Sequence, residues 1–167
     1  AAADQVKAAA LLLAVLPRDS LAPHRARIET LAKDASNQFP VWPIIATFAA
    51  FGPDSVPRLT DILLNTEDST LEGHERRLAA LHGLCVMGGD ASAALPALLQ
   101  TFDALHLSID VYDKDDLMLN ALVAMGATHD DIDALRAMSR SANPTLERFE
   151  AAFQSAKTAP KCLPDYY

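Results

Sequence analysis

Glycines placed where helices should stop set the frame of this chain. Gly52, Gly88 and Gly126 are spaced 36 and 38 residues apart, and Pro17 stands 35 residues before Gly52. Counting back from each stop, small or apolar residues recur at the same offsets. The first copy has Ala9, Ala10, Leu13 and Leu16, and the second Ile44, Ile45, Phe48 and Phe51. The third has Ala80, Leu81, Leu84 and Met87, and the fourth Met118, Leu119, Leu122 and Met125. Each set marks one face of a helix. Four copies in one register are the signature of a repeat array, in which each unit buries its apolar face against the next. The period predicts an all-α protein, a right-handed α-α superhelix of about nine helices in roughly four and a half repeats.

The punctuation between the stripes fits that reading. A first helix is expected over residues 3–16, ended by Pro17. Asp19 or Ser20 should cap a second helix reaching Ala35, and a proline-flanked start at residues 39–43 should open a third ending at Gly52. Asp54 is the expected cap of residues 55–65, and a long helix should then run to Gly88. Asp90 should cap a helix to about His106, and residues 107–112 read as an extended connection. Asp113 and Asp116 should start the helix ending at Met125. Residues 129–141 and a helix opening at Asn143 and Pro144 complete the array. The expected domain is 1–159, followed by a tail at 160–167. Composition supports helices: 50% of residues are hydrophobic but only 6% are aromatic, so Ala and Leu supply most of the core.

The stretch Arg77, Ala80, Leu81, Gly83, Leu84, Cys85, Met87 and Gly88 is the best-formed unit. Ala94, Leu95, Pro96, Ala97, Leu98, Leu99 and Asp103 follow it. Together they resemble a HEAT or HEAT-like repeat, an armadillo-type family. The stretch from Val56 and Pro57 through Leu63, Leu64 and Asn65 is a looser match to the same helix. The resemblance covers about residues 6–138 and implies a HEAT-like solenoid. It also implies a ladder of Arg–Asp pairs between repeats. Here the Arg position is Val41 in the second copy and Asp115 in the fourth, which restricts such pairing to Arg77 and Asp103.

The formal charge of −8 and pI of about 4.9 repel phosphate backbones, so no nucleic-acid partner is expected. The small basic cluster of Arg18, His24, Arg25 and Arg27 does not reverse this. No apolar run approaches the roughly 20 residues that cross a bilayer, so no transmembrane segment is expected. Asp110, Asp113, Asp115 and Asp116 form one acidic cluster, and His129, Asp130, Asp131 and Asp133 another. Both fall at predicted helix N-termini, where carboxylates cap free N–H groups, and the first lacks the glycine and distal Glu of a calcium loop. No metal and no cofactor are expected. Nucleophile elbows, phosphate loops and dinucleotide fingerprints are absent from the sequence.

Cys85 lies on an apolar stripe and reads as a buried free thiol. Its pairing with Cys162 in the tail has no spacing signature, and the sequence leaves it open. His82 falls opposite the stripe and is expected on a groove. With Glu75, Arg76, Asp116 and Asn120 it would form a polar strip on successive inner helices. Trp42, between prolines, is either a partner anchor or a packing residue. These six are the candidate partner-binding residues.

The expected function is a non-enzymatic scaffold or adaptor that binds a partner protein or peptide, one with basic segments given the acidic surface. The alternative is a HEAT-like lyase-type enzyme or small-ligand binder with a polar pocket on the concave face. The chain could also be part of a larger protein or assembly. A cytoplasmic location is slightly favoured, and export follows instead if Ala1 adjoins a small-residue cleavage site.

Overall fold

The computed structural model describes residues 13, 16–34, 47–67, 69–102, 117–138, 153–154 and 157–162. Every regular element among the described residues is helical, as the Ala- and Leu-rich composition requires. Helices α1 to α7 are Arg18–Leu21, Arg25–Asp34, Val56–Asn65, Leu71–Met87, Leu95–Gln100, Leu117–Ala124 and His129–Met138. The chain divides into two compact units, Ala1–Leu84 and Cys85–Tyr167, with the boundary inside α4.

In the first unit, Asp19 and Ser20 do not cap the helix. Pro17 occupies the N-cap of α1, and Asp19 falls within its first turn. Pro23 then divides what was expected to be one helix, and a 3-10 turn, Ala22–His24, leads into α2. Proline has no N–H to give the ladder and crowds the turn before it. Thr47–Phe51 is wound as 3-10 helix, with Phe48 and Phe51 buried and their rings edge to face at 5.9 Å.

Gly52 follows at φ 81. The Arg18 guanidinium covers it so closely that a Cβ would lie 2.6 Å from Cζ. Arg25 is held over the Phe51 ring, 5.3 Å from its centroid. Two of the four residues of the basic cluster therefore shield this turn. Asp54 is not the cap it was expected to be. The Gly52 carbonyl accepts the Ser55 N–H at 2.9 Å in the turn Pro53–Ser55, and α3 starts at Val56 with Pro57 in its first turn.

Helix α3 buries Val56, Leu59 and Leu63 along one stripe. Arg77 of α4 donates from Nε to the Leu63 carbonyl at 3.0 Å, which satisfies one of the last carbonyls of α3. Its expected partner Asp103 lies outside the described residues. Thr70 caps α4 by accepting the Gly73 N–H on Oγ1 at 3.0 Å. Further along α4, the third-copy stripe residues Ala80, Leu81 and Leu84 are fully buried.

In the second unit, Asp90 likewise falls inside a 3-10 turn, and Ala94 holds the N-cap of the next α-helix. Gly88–Ala94 is wound as 3-10 helix, and α5 begins only at Leu95, with Pro96 in its first turn. Helix α5 buries Leu98, and Phe102 just beyond it is buried as well. Leu95, Leu98 and Phe102 occupy the offsets of Val56, Leu59 and Leu63, each 39 residues later. Helix α6 is apolar at every position but Asn120, and all six residues from Leu117 to Leu122 are buried. It ends in a Schellman turn: Gly126 N–H meets the Val123 carbonyl at 3.0 Å, and Ala127 N–H meets that of Leu122 at 2.9 Å. The stripe Met118, Leu119, Leu122 and Met125 is buried throughout.

The glycine frame is therefore structural. Gly52, Gly88 and Gly126 all have positive φ, at 81°, 57° and 104°. The run Glu72–Gln100 is long and apolar enough by composition to span a bilayer, with a mean hydropathy of 1.3 in an 18-residue window. Half of that window is buried inside the protein, so packing already uses much of its apolar surface. Ala9, Ala10, Ile44 and Ile45, residues 107–112 and the helix expected from Asn143 lie outside the described residues. Leu16, at the end of the first copy, is 42% exposed.

The adjacent glycines separate backbone need from bulk. Gly88 is left-handed and a Cβ there would meet the Ala124 carbonyl at 3.4 Å, whereas Gly89 is not left-handed and has open space around it. Gly88→Ala should destabilise by about 1–2 kcal/mol, and Gly89→Ala should be neutral or stabilising by up to about 1 kcal/mol. Urea unfolding of the two variants checks the opposed signs.

Candidate functional site

The six residues singled out in the sequence do not form a strip among the described residues. Trp42 and Asp116 lie outside them. Glu75 and Arg76 are half-buried on α4, and the Arg76 guanidinium pairs with Glu72 one turn back at 2.7 Å. Arg76 Nε is buried without a hydrogen-bond partner. His82, expected on an open groove, is only 7% exposed. It is one of seven consecutive buried residues from Ala79 to Cys85, so this part of α4 has no open polar face.

Asn120 is the informative one. It is the polar residue in the buried run of α6 and is itself 7% exposed. An amide placed there must find partners or bear the cost of desolvation, about 1–3 kcal/mol. Its Oδ1 accepts the backbone N–H of Lys161 at 2.8 Å, 41 residues further along. The segment expected as a tail is thereby drawn onto the second unit.

The next residue fixes it covalently. Cys162 is disulfide-bonded to Cys85, with Cα atoms 5.3 Å apart, and no cysteine is free. This corrects the reading of Cys85 as a free thiol. The two cysteines are 77 residues apart, so nothing local in the sequence couples them. Only the return of the segment to α6 does. Closing a loop of 77 residues removes about 4–5 kcal/mol of chain entropy from the unfolded state.

The clamped segment forms one wall of a cleft. Val123 and Ala124 at the end of α6, Ala127 and Thr128 in the following turn, and His129 at the start of α7 line one side. Phe153, Lys157 and Pro160 line the other, around a cavity of about 470 Å³. The Phe153 ring is buried and lies 4.5 Å from the His129 ring, centroid to centroid. Five of the lining residues are apolar, with Ala127 and Phe153 buried, while Thr128, His129 and Lys157 are exposed and supply polar groups.

One of the two acidic clusters borders this cleft, and its chemistry is that of a helix cap. Asp131 Oδ2 accepts both the Thr128 N–H and the Thr128 hydroxyl at 2.8 Å. Thr128 Oγ1 faces the Asp131 N–H in return, at 3.4 Å. This is a capping box at the N-terminus of α7, the role that the acidic residues were expected to play there. The other cluster, Asp110, Asp113, Asp115 and Asp116, lies outside the described residues.

Sequence reasoning missed the cleft because its two walls are about 30 residues apart and neither carries a motif. One usable signal was present: an amide at Asn120 inside a helix otherwise apolar on every side. No protein-family model, no curated protein and no solved structure matches the chain.

Asn120→Ala should cost about 1–3 kcal/mol and leave the Lys161 N–H without its acceptor. Hydrogen exchange at Lys161 should accelerate in that variant while the amides of α3, in the other unit, keep their protection.

Proposed function

We propose that this chain is a non-catalytic binding module of HEAT-like type. In this reading it engages a partner protein by taking an apolar side chain into the cleft between the α6–α7 turn and the C-terminal segment. The observation that carries it is the cleft's make-up, apolar lining residues beside exposed polar ones. That combination suits a protein side chain anchored by burial and oriented by hydrogen bonds. The repeat supports the same reading. Left-handed glycines recur at the stops of successive copies, and the stripes of α3 and α5 match at a 39-residue offset. Repeat arrays of this kind present surfaces to other proteins. The net charge of −8 favours basic segments in the partner around the cleft.

The disulfide favours a place of action outside the reducing cytosol, because such bonds persist in oxidising compartments. It thus weighs against the cytoplasmic location that composition alone slightly favoured.

A photo-crosslinking residue in place of Lys157 should yield one discrete protein adduct in the source cells. Val123→Trp, which fills the cleft, should abolish that adduct without unfolding the protein. Persistence of the adduct in the filled variant would place the partner elsewhere. A small molecule retained by the purified chain and displaced by Val123→Trp would turn the assignment to a small-ligand site, for which a cavity of about 470 Å³ is large enough. Separately, thiol alkylation of unreduced cell extract should leave Cys85 and Cys162 unmodified. Alkylation of both would argue for the cytosol.

A further inference from the structure

The residues that build the cleft wall and the residues that hold it down are next to one another in sequence. Phe153, Lys157 and Pro160 line the cavity, and Lys161 and Cys162 carry the attachments to Asn120 and Cys85. The opposite wall has its own support. The Schellman turn at Gly126 and the Thr128–Asp131 capping box are formed within residues 122–131, while α6 offers the C-terminal segment one acceptor, Asn120 Oδ1. One side of the cleft is thus built by local turns, and the other carries a covalent link to Cys85.

From this we propose that the cleft is assembled by oxidation: it is open and incomplete in the dithiol chain and becomes binding-competent when Cys85 and Cys162 join. The idea rests on the cleft being the binding site, and it adds how that site is regulated. The chemistry is thiol–disulfide exchange with a disulfide donor, such as a dithiol oxidase of an oxidising compartment. The thiolate of one cysteine attacks the donor disulfide and forms a mixed disulfide, releasing one donor thiolate. The second cysteine then displaces the other donor sulfur and closes the Cys85–Cys162 bond. Two thiol protons leave the protein, and the donor departs as a dithiol. Cys162 is the half-exposed partner and Cys85 is 2% exposed, so Cys162 takes the mixed disulfide and Cys85 resolves it. A chain still in a reducing compartment would keep its partner site unformed until export.

The full chain, oxidised and then reduced with a phosphine, tests this by two separate readouts. The first follows the wall alone, by nuclear Overhauser contact between the His129 and Phe153 rings and by Lys161 amide exchange. On reduction the contact should vanish and Lys161 exchange should accelerate roughly 100-fold, while amides of α6 change less than about 10-fold. Cys162→Ala should reproduce the reduced state without any reductant. A retained ring contact and unchanged Lys161 exchange in the reduced chain would overturn the proposal. So would loss of protection throughout α6, since the bond would then be a staple for the whole unit. The second readout is the Lys157 photo-adduct, which should form in the oxidised chain only. If the wall is released and the adduct still forms, the cleft is not the binding site and the functional reading fails. The redox response of the wall would still stand on the first readout.

Discussion

The second unit depends on a helix that cannot meet water on any side. Leu117–Ala124 buries six consecutive residues, so it has no polar face with which to lie on a surface. Such a helix forces its surroundings. The turn at Gly126 must satisfy its last carbonyls internally, and the Schellman hydrogen bonds of Gly126 and Ala127 do so. Its one buried amide must also find partners. Asn120 takes the Lys161 N–H as one of them, and this brings Cys162 to Cys85. The cleft wall is thus tied to the unit at two adjacent residues, once by a hydrogen bond and once covalently.

What could be read from the sequence follows from what is local. The left-handed stops at Gly52, Gly88 and Gly126 were legible because only glycine enters that conformation freely. The stripes around Leu81 and Leu119 were legible because helical spacing fixes which residues share a face. The caps were less so. Asp54 and Asp90 have the right residue type after a glycine, yet both fall inside 3-10 turns that precede the α-helix. In each case a proline in the first α-turn, Pro57 or Pro96, marks the true start. Proline lacks a donor that the first turn does not need, so it was a better guide than the aspartates. The disulfide and the cleft were not legible, because they depend on a chain return over 77 and 41 residues.

The candidate strip on α4 shows why exposure is hard to infer from one helix. A polar residue opposite an apolar stripe faces solvent only if nothing packs on that side. The run from Ala79 to Cys85 is buried on every side, and His82 is enclosed with it. Arg76, one turn outside the run, is half-buried and paired with Glu72. Arg77 differs again, since its guanidinium reaches the Leu63 carbonyl and so ties α4 to the end of α3. Three polar residues within seven positions have three environments, and only tertiary packing distinguishes them.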